Sequence, residues 1–212
     1  MRGVLWDLDG TIVDSEEYHW LAWRDTMRGE GVELTYEQFL GSFGQRNDGI
    51  LGAWLGALVD PGRMHRVGET KEAEFRRLAA AHGMQPLPGA REWLSALHAA
   101  GWKQSIASSA PRENVEALLR VLDLAPYLDA IAAAEDVTVG KPDPQIFLSA
   151  AARLGVPPNR CIVVEDVPAG IEGAKRGGMK SIGVSRNAVL NADVFVRSLL
   201  DLPADAFDRL IP

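Results

Sequence analysis

The chain has 212 residues, 47% of them apolar and 24% charged, a composition that fits a folded globular protein and argues against a largely disordered one. At roughly 150 residues per domain this length predicts about 1.4 domains, so one domain with a sizeable insertion or two modest domains. Lys and Arg total 22 against 29 Asp and Glu. The resulting charge of −7 disfavours nucleic acid as a partner, while a small anion needs only a local positive site.

One cysteine, Cys161, excludes an internal disulfide and a cysteine-rich zinc site, and suits a reducing compartment. The uncharged stretch Gly49–Val59 is too short for a bilayer, which needs about 20 apolar residues. The opening segment MRGVLWDLDG places Asp7 and Asp9 where a signal peptide needs an apolar run. The expectation is a cytoplasmic protein that begins at Met1 and avoids membranes.

In chain order, the apolar runs Arg2–Asp7, Lys103–Ser108, Ala130–Ala133, Arg160–Glu165 and Lys180–Val184 read as strands. They are continuous rather than alternating, as parallel strands covered on both faces require. Helices are expected between them. Val115, Leu118, Leu119 and Leu122 follow helical spacing, and so do Ile146, Ala150 and Leu154. Asp143-Pro144 should supply the N-cap and first position of the second of these helices, and another should begin near Pro168. This alternation predicts an α/β fold with an open, doubly wound parallel sheet.

Residues 15–84 interrupt the alternation with a helical pattern. Tyr18, Leu21 and Ala22 share a face, Thr35-x-x-Gln38 resembles a capping box, and Met64–Ala81 is a charged amphipathic run. Gly83–Gly89, with two prolines, reads as a linker. The expected organisation is an α/β core of residues 1–14 and 85–212 with a helical insertion of residues 15–84.

Two strand ends carry acids. Asp7-Leu8-Asp9-Gly10-Thr11 follows the first strand, and Glu165-Asp166 closes the run Ile162-Val163-Val164. Ligands of open parallel sheets bind beyond the carboxyl ends of strands. Paired carboxylates there stay ionised only near a positive charge, and Mg²⁺ prefers oxygen ligands. The plainer alternatives are a surface turn for Asp7–Thr11 and a helix cap for Asp166. Ser108 ends another strand, and Lys141 lies in Gly140-Lys141-Pro142-Asp143-Pro144. A hydroxyl and an ammonium beside the acids suit a phosphate group.

With these four motifs the chain resembles the haloacid dehalogenase superfamily, in the branch with a helical cap after the first strand that holds β-phosphoglucomutase and many sugar-phosphate phosphatases. The resemblance covers essentially the whole chain: DLDGT at Asp7–Thr11, Ser108, GKPDP at Gly140–Pro144 and EDVPAGI at Glu165–Ile171. It implies Asp7 as nucleophile and Asp9 as general acid and then base. It implies Mg²⁺ as cofactor, held by Asp7, the backbone carbonyl of Asp9 and Asp166, with Glu165 assisting. Ser108 and Lys141 would hold the transferring phosphoryl group, with Gly10, Thr11 and Ser109 lining the substrate site.

In the insertion, the same resemblance marks His19 and Trp23 as a pair on one helical face, Arg46 as a grip on a distal phosphate, and Lys71 as a cap lysine reaching the active site. Ordinary packing for His19 and Trp23, and solvated charge for Arg46 and Lys71, are the alternatives. After Ser108 the mutase has a further Ser, then Lys and Asn, whereas this chain has Ser109-Ala110-Pro111-Arg112. Arg112 could still offer charge to a phosphate. The departure tilts the expectation toward an Mg²⁺-dependent phosphatase of a small phosphomonoester, a sugar phosphate, acting as a monomer. The alternatives are β-phosphoglucomutase and a non-catalytic binding module.

Overall fold

The computed structural model describes residues 1–56 and 59–212. Ala57 and Leu58, inside the uncharged stretch Gly49–Val59, lie outside the described residues. The chain divides into two compact units, Met1–Asp14 with Gln85–Pro212, and Ser15–Met84.

The first unit is built on a parallel sheet of β1 (Gly3–Trp6), β2 (Lys103–Ala107), β3 (Ala130–Ala132), β4 (Cys161–Glu165), β5 (Lys180–Val184) and β6 (Val194–Val196), in the order β3-β2-β1-β4-β5-β6. The second unit is helical, with α1 (Glu16–Gly29), α2 (Tyr36–Leu40), α3 (Asn47–Leu55) and α4 (Pro61–His82). The first unit adds α5 (Ala90–Ala99), α6 (Arg112–Leu122), α7 (Gln145–Leu154), α8 (Pro168–Arg176) and α9 (Ala206–Leu210).

The sheet explains why its strands read as unbroken apolar runs. Val4, Leu5 and Trp6 of β1 and Cys161, Ile162, Val163 and Val164 of β4 are all fully buried. Leu5 and Val163 join Phe147, Ala150 and Ala174 in one core cluster. Register then sets the site. Trp6 pairs with Ile106 on one side and Val164 on the other, so Asp7, Ala107 and Glu165 leave the sheet at one level. The chain turns one way from β1 through β2 to β3 and the other way from β4, which makes the carboxyl end of β1 the switch point where such sheets bind ligands.

Five strands lie where the apolar runs predict them. The sixth, Val194–Val196, is an edge strand whose apolar run, Val-Phe-Val, is only three residues long. Pro144, not Asp143, occupies the N-cap of α7, and the Asp143 carboxylate accepts the Gln145 N–H (3.0 Å). The Gly83–Gly89 segment is more than a linker, since Pro86 bridges Val13 and the Leu87 N–H donates to the Ile12 carbonyl (2.7 Å).

In the helical unit Thr35 and Gln38 form the capping box. The buried face of α1 differs from the Tyr18, Leu21, Ala22 pattern. It is His19, Ala22, Trp23 and Met27, an i, i+3, i+4, i+8 stripe that packs on α4. Among the described residues, no helix is long and apolar enough to cross a membrane.

Candidate active site

Asp7 follows β1 directly, and its N–H extends the ladder to the Val164 carbonyl (3.0 Å). Its side chain is almost fully buried. Lys141, in the loop between β3 and α7, donates from Nζ to Oδ1 of Asp7 (2.5 Å) and to Oε1 of Glu165. The ammonium is only 4% exposed. The carboxylates of Asp7, Glu165 and Asp166 gather so that one oxygen of each lies within 4.8 Å of the others.

Electrostatics at this cluster are unbalanced. Burial, with Glu165 and Asp166 nearby, pushes the Asp7 carboxyl well above its usual range, although Lys141 pulls it down. Burial and the charge of Glu165 push Asp166 up to about 8. Burial disfavours the charged form of Lys141, but Asp7 and Glu165 outweigh it and hold the ammonium above its usual range. Three carboxylates face one ammonium, and full ionisation needs roughly two more positive charges, which a divalent cation would supply.

The donor set fits such an ion. All three groups are hard oxygen donors, the chemistry Mg²⁺ selects. Glu165, however, has both oxygens engaged: Oε1 by Lys141, and Oε2 by the N–H groups of Asp166 (3.0 Å) and Val167 (3.1 Å). Oδ1 of Asp7 takes Lys141, and Oδ1 of Asp166 takes the Thr11 hydroxyl (3.3 Å). That leaves Oδ2 of Asp7 and Oδ2 of Asp166 as the better candidates for a cation.

The predicted cap role of Asp166 therefore passes to Glu165. Its carboxylate satisfies the N–H groups that precede α8, whereas Val167 holds the N-cap position without a side-chain bond. Two glycines make room for the acids. Gly10 has φ +88, and a Cβ there would collide with Oδ2 of Asp166. A Cβ at Gly170 would collide with the Glu165 carboxyl. Gly170 lies within the motif Glu165–Ile171 but is not singled out by sequence, because a helical glycine carries no local signal of a long-range close approach.

Ser108 follows β2, is buried, and accepts the Ala110 N–H at Oγ (3.1 Å). Asp9 is half-buried and bridges Val13 in backbone pairing. Thr11 is buried against Asp166, and Ser109 is half-buried beside Ser108. Arg112 already has an ion-pair partner. Its guanidinium donates to Asp136 (2.5 Å), which also takes Arg153 (2.6 Å), so a phosphate would have to displace a carboxylate.

In the helical unit, Lys71 is not a solvated charge. It is 2% exposed, with Nζ 2.8 Å from Oε1 of Glu72 and 2.9 Å from Nδ1 of His19. Asn47 donates to the same Glu72 oxygen (2.7 Å). The His19 ring stacks on Phe75 at 3.9 Å, and the Lys71 ammonium lies 4.9 Å from the Trp23 ring centroid. His19 and Trp23 thus pack as the plainer alternative expects, and in packing they enclose a buried charge. Arg46 pairs with Asp48 (3.3 Å) near the surface.

Residues 1–178 match the family of haloacid dehalogenase-like hydrolases. The chain belongs to this family and is an enzyme of it. It is 34% identical to a β-phosphoglucomutase of Bacillus subtilis (strain 168), covering 95% of this chain and 92% of that one. It is 32% identical to hexitol phosphatase B of Escherichia coli (strain K12), over 95% and 94% of the two chains. It is 30% identical to the validoxylamine A 7'-phosphate phosphatase of Streptomyces hygroscopicus subsp. limoneus, over 94% of each chain. Its structure is similar to that of a β-phosphoglucomutase from Clostridium difficile, with a TM-score of 0.90, 26% identity, and 99% and 96% of the two chains covered.

Proposed function

We propose that this hydrolase removes phosphate from a small phosphomonoester, a sugar or sugar-alcohol phosphate, through an aspartyl-phosphate on Asp7. The observation that carries the reading is the buried Asp7 carboxylate at the switch point, bonded to Lys141 and grouped with Asp166. The relatives named for hexitol and validoxylamine phosphates supply the substrate class.

The chemistry follows from the groups at the sheet edge. An Asp7 oxygen attacks phosphorus, the bond to the alcohol oxygen breaks, and Asp9 protonates the departing oxygen. Asp9 then takes a proton from water, which attacks phosphorus and releases phosphate and Asp7. Ser108 Oγ and Lys141 Nζ bind the phosphoryl oxygens. The transition state is loose, so positioning and charge carry most of the rate. Magnesium, held by Asp7, Asp166 and the Asp9 carbonyl, would screen the phosphate from the nucleophile's charge. Glu165 holds Lys141 and the turn before α8 in place.

We assign choice of alcohol to the helical unit, residues 15–84, as a cap carrying His19, Trp23, Arg46 and Lys71. The second reading, β-phosphoglucomutase, is favoured by the Bacillus subtilis relative. Against it stand Ala110 and Pro111, which have no side-chain donor, and Arg112, which is committed to Asp136. The test is purified protein with Mg²⁺ and a panel of hexose and hexitol monophosphates, beside β-glucose 1-phosphate with glucose 1,6-bisphosphate. Phosphate release should outrun isomerisation. Glucose 6-phosphate formation that is orders of magnitude faster would promote the mutase.

A further inference from the structure

The turn after Ser108 leads into α6, whose first N–H groups would ordinarily attract an outside anion. Here a carboxylate of this chain takes the first of them. The Arg112 N–H donates to both oxygens of Glu135, at 3.1 and 3.0 Å. The Arg112 guanidinium donates to Asp136, which it shares with Arg153 and whose Oδ2 also takes the Ala133 N–H (2.8 Å). Ala110 brings no polar side chain, and Pro111 has no N–H to give.

Glu135 lies on the same edge of the sheet as the phosphoryl-binding hydroxyl. It sits in the short turn Ala134–Asp136 after β3, the neighbour of β2. Two hydrogen bonds connect that turn to Ser108: Ala134 N–H to the Ala110 carbonyl (3.0 Å), and Ala110 N–H to Ser108 Oγ (3.1 Å). The exposed Glu135 carboxylate presents its charge on the α6 side of that turn, with a reach of about 8 Å, the Debye length at physiological salt.

We propose that Glu135 is a specificity-determining residue that rejects a second anionic group, so that the alcohol released is an uncharged sugar or polyol. This rests on the phosphomonoester reading of the site. Neutral hydroxyls can donate to the exposed carboxylate, whereas a second phosphate meets like charge and finds the first α6 N–H taken.

The test separates charge from capping. Glu135→Gln keeps an amide oxygen for the Arg112 N–H and removes only the charge. In an Asp7→Asn background with Mg²⁺, calorimetry would give the Kd of hexose 6-phosphate and of hexose 1,6-bisphosphate, with and without Glu135→Gln. Unchanged thermal melting confirms that α6 stays capped. The expected result is a fall of about three- to tenfold in the ratio of bisphosphate to monophosphate Kd, shrinking as salt is raised. A ratio that does not move in Glu135→Gln overturns the proposal. Wild-type turnover is measured separately. If no neutral monophosphate is hydrolysed, the phosphatase reading fails, and the binding ratio still decides the role of Glu135.

Discussion

Lys141 Nζ stands between two carboxylates, 2.5 Å from Oδ1 of Asp7 and bonded also to Oε1 of Glu165. One ammonium thereby ties the loop after β3 to the tips of β1 and β4. Lys141→Ala should lower kcat/KM by about two to three orders of magnitude, the loss seen when a preorganised charge at a reacting centre is removed. Lys141→Arg should not restore it, because a planar fork cannot replace a point charge between two carboxylates. Steady-state kinetics on one monophosphate checks both, and wild-type rates in the Arg variant would count against this geometry.

Gly170 separates two opposing effects. Alanine is favoured over glycine inside a helix by about 1 kcal/mol. The added Cβ would meet the Glu165 carboxyl, and overpacking of a buried site costs about 1–3 kcal/mol. Gly170→Ala should therefore be destabilising on balance and should lower activity by displacing Glu165 from Lys141. Denaturant unfolding and kcat measure the two parts. A more stable, fully active variant would show that Glu165 has room to move.

Much of this was legible because parallel strands buried on both faces leave a plain apolar trace, and because Asp7, Ser108 and Glu165-Asp166 each follow such a run. Other features were hidden for physical reasons. The buried stripe of α1 was displaced in the sequence reading because His19 counts as polar, yet it is buried by stacking on Phe75. Lys71 reads as surface charge until Glu72, Asn47 and His19 are seen around it. Glu165 reads as one more metal ligand, since sequence does not show that Lys141 and two N–H groups already bond both its oxygens. Val194–Val196 pairs through backbone at the sheet edge, which three residues cannot advertise.

The Lys71–Glu72 pair makes the helical unit acid-sensitive. Burial alone would raise the Glu72 pKa, but Lys71, His19 and hydrogen bonds from Lys71 and Asn47 outweigh it and hold it below the usual value of 4.5. A depressed carboxyl pKa contributes stability above the unfolded-state value, which is lost as pH falls through the folded-state value. Melting followed from pH 7 downward should show this loss beginning below about pH 4.5. Glu72→Gln should destabilise the protein at pH 7 by about 3 kcal/mol, because it strands a buried ammonium, and should weaken the dependence on acid. Identical acid profiles in the two proteins would remove Glu72 from the account.

Metal should act on stability as well as on rate. Asp7 and Asp166 crowd negative charge into a buried site, so Mg²⁺ binding the folded state should raise the melting temperature, and Asp166→Asn should reduce that rise. Differential scanning fluorimetry with and without Mg²⁺ reads it directly. Full turnover in excess chelator would contradict a role for the cation.

The central claim is that phosphate passes through Asp7. The direct measurement is rapid acid quench of enzyme turning over a ³²P-labelled hexose monophosphate with Mg²⁺, followed by peptide mapping. The account predicts label on the peptide that contains Asp7, its decay into inorganic phosphate, and no label in Asp7→Asn. Label on another residue, or undiminished turnover by Asp7→Asn, would contradict it.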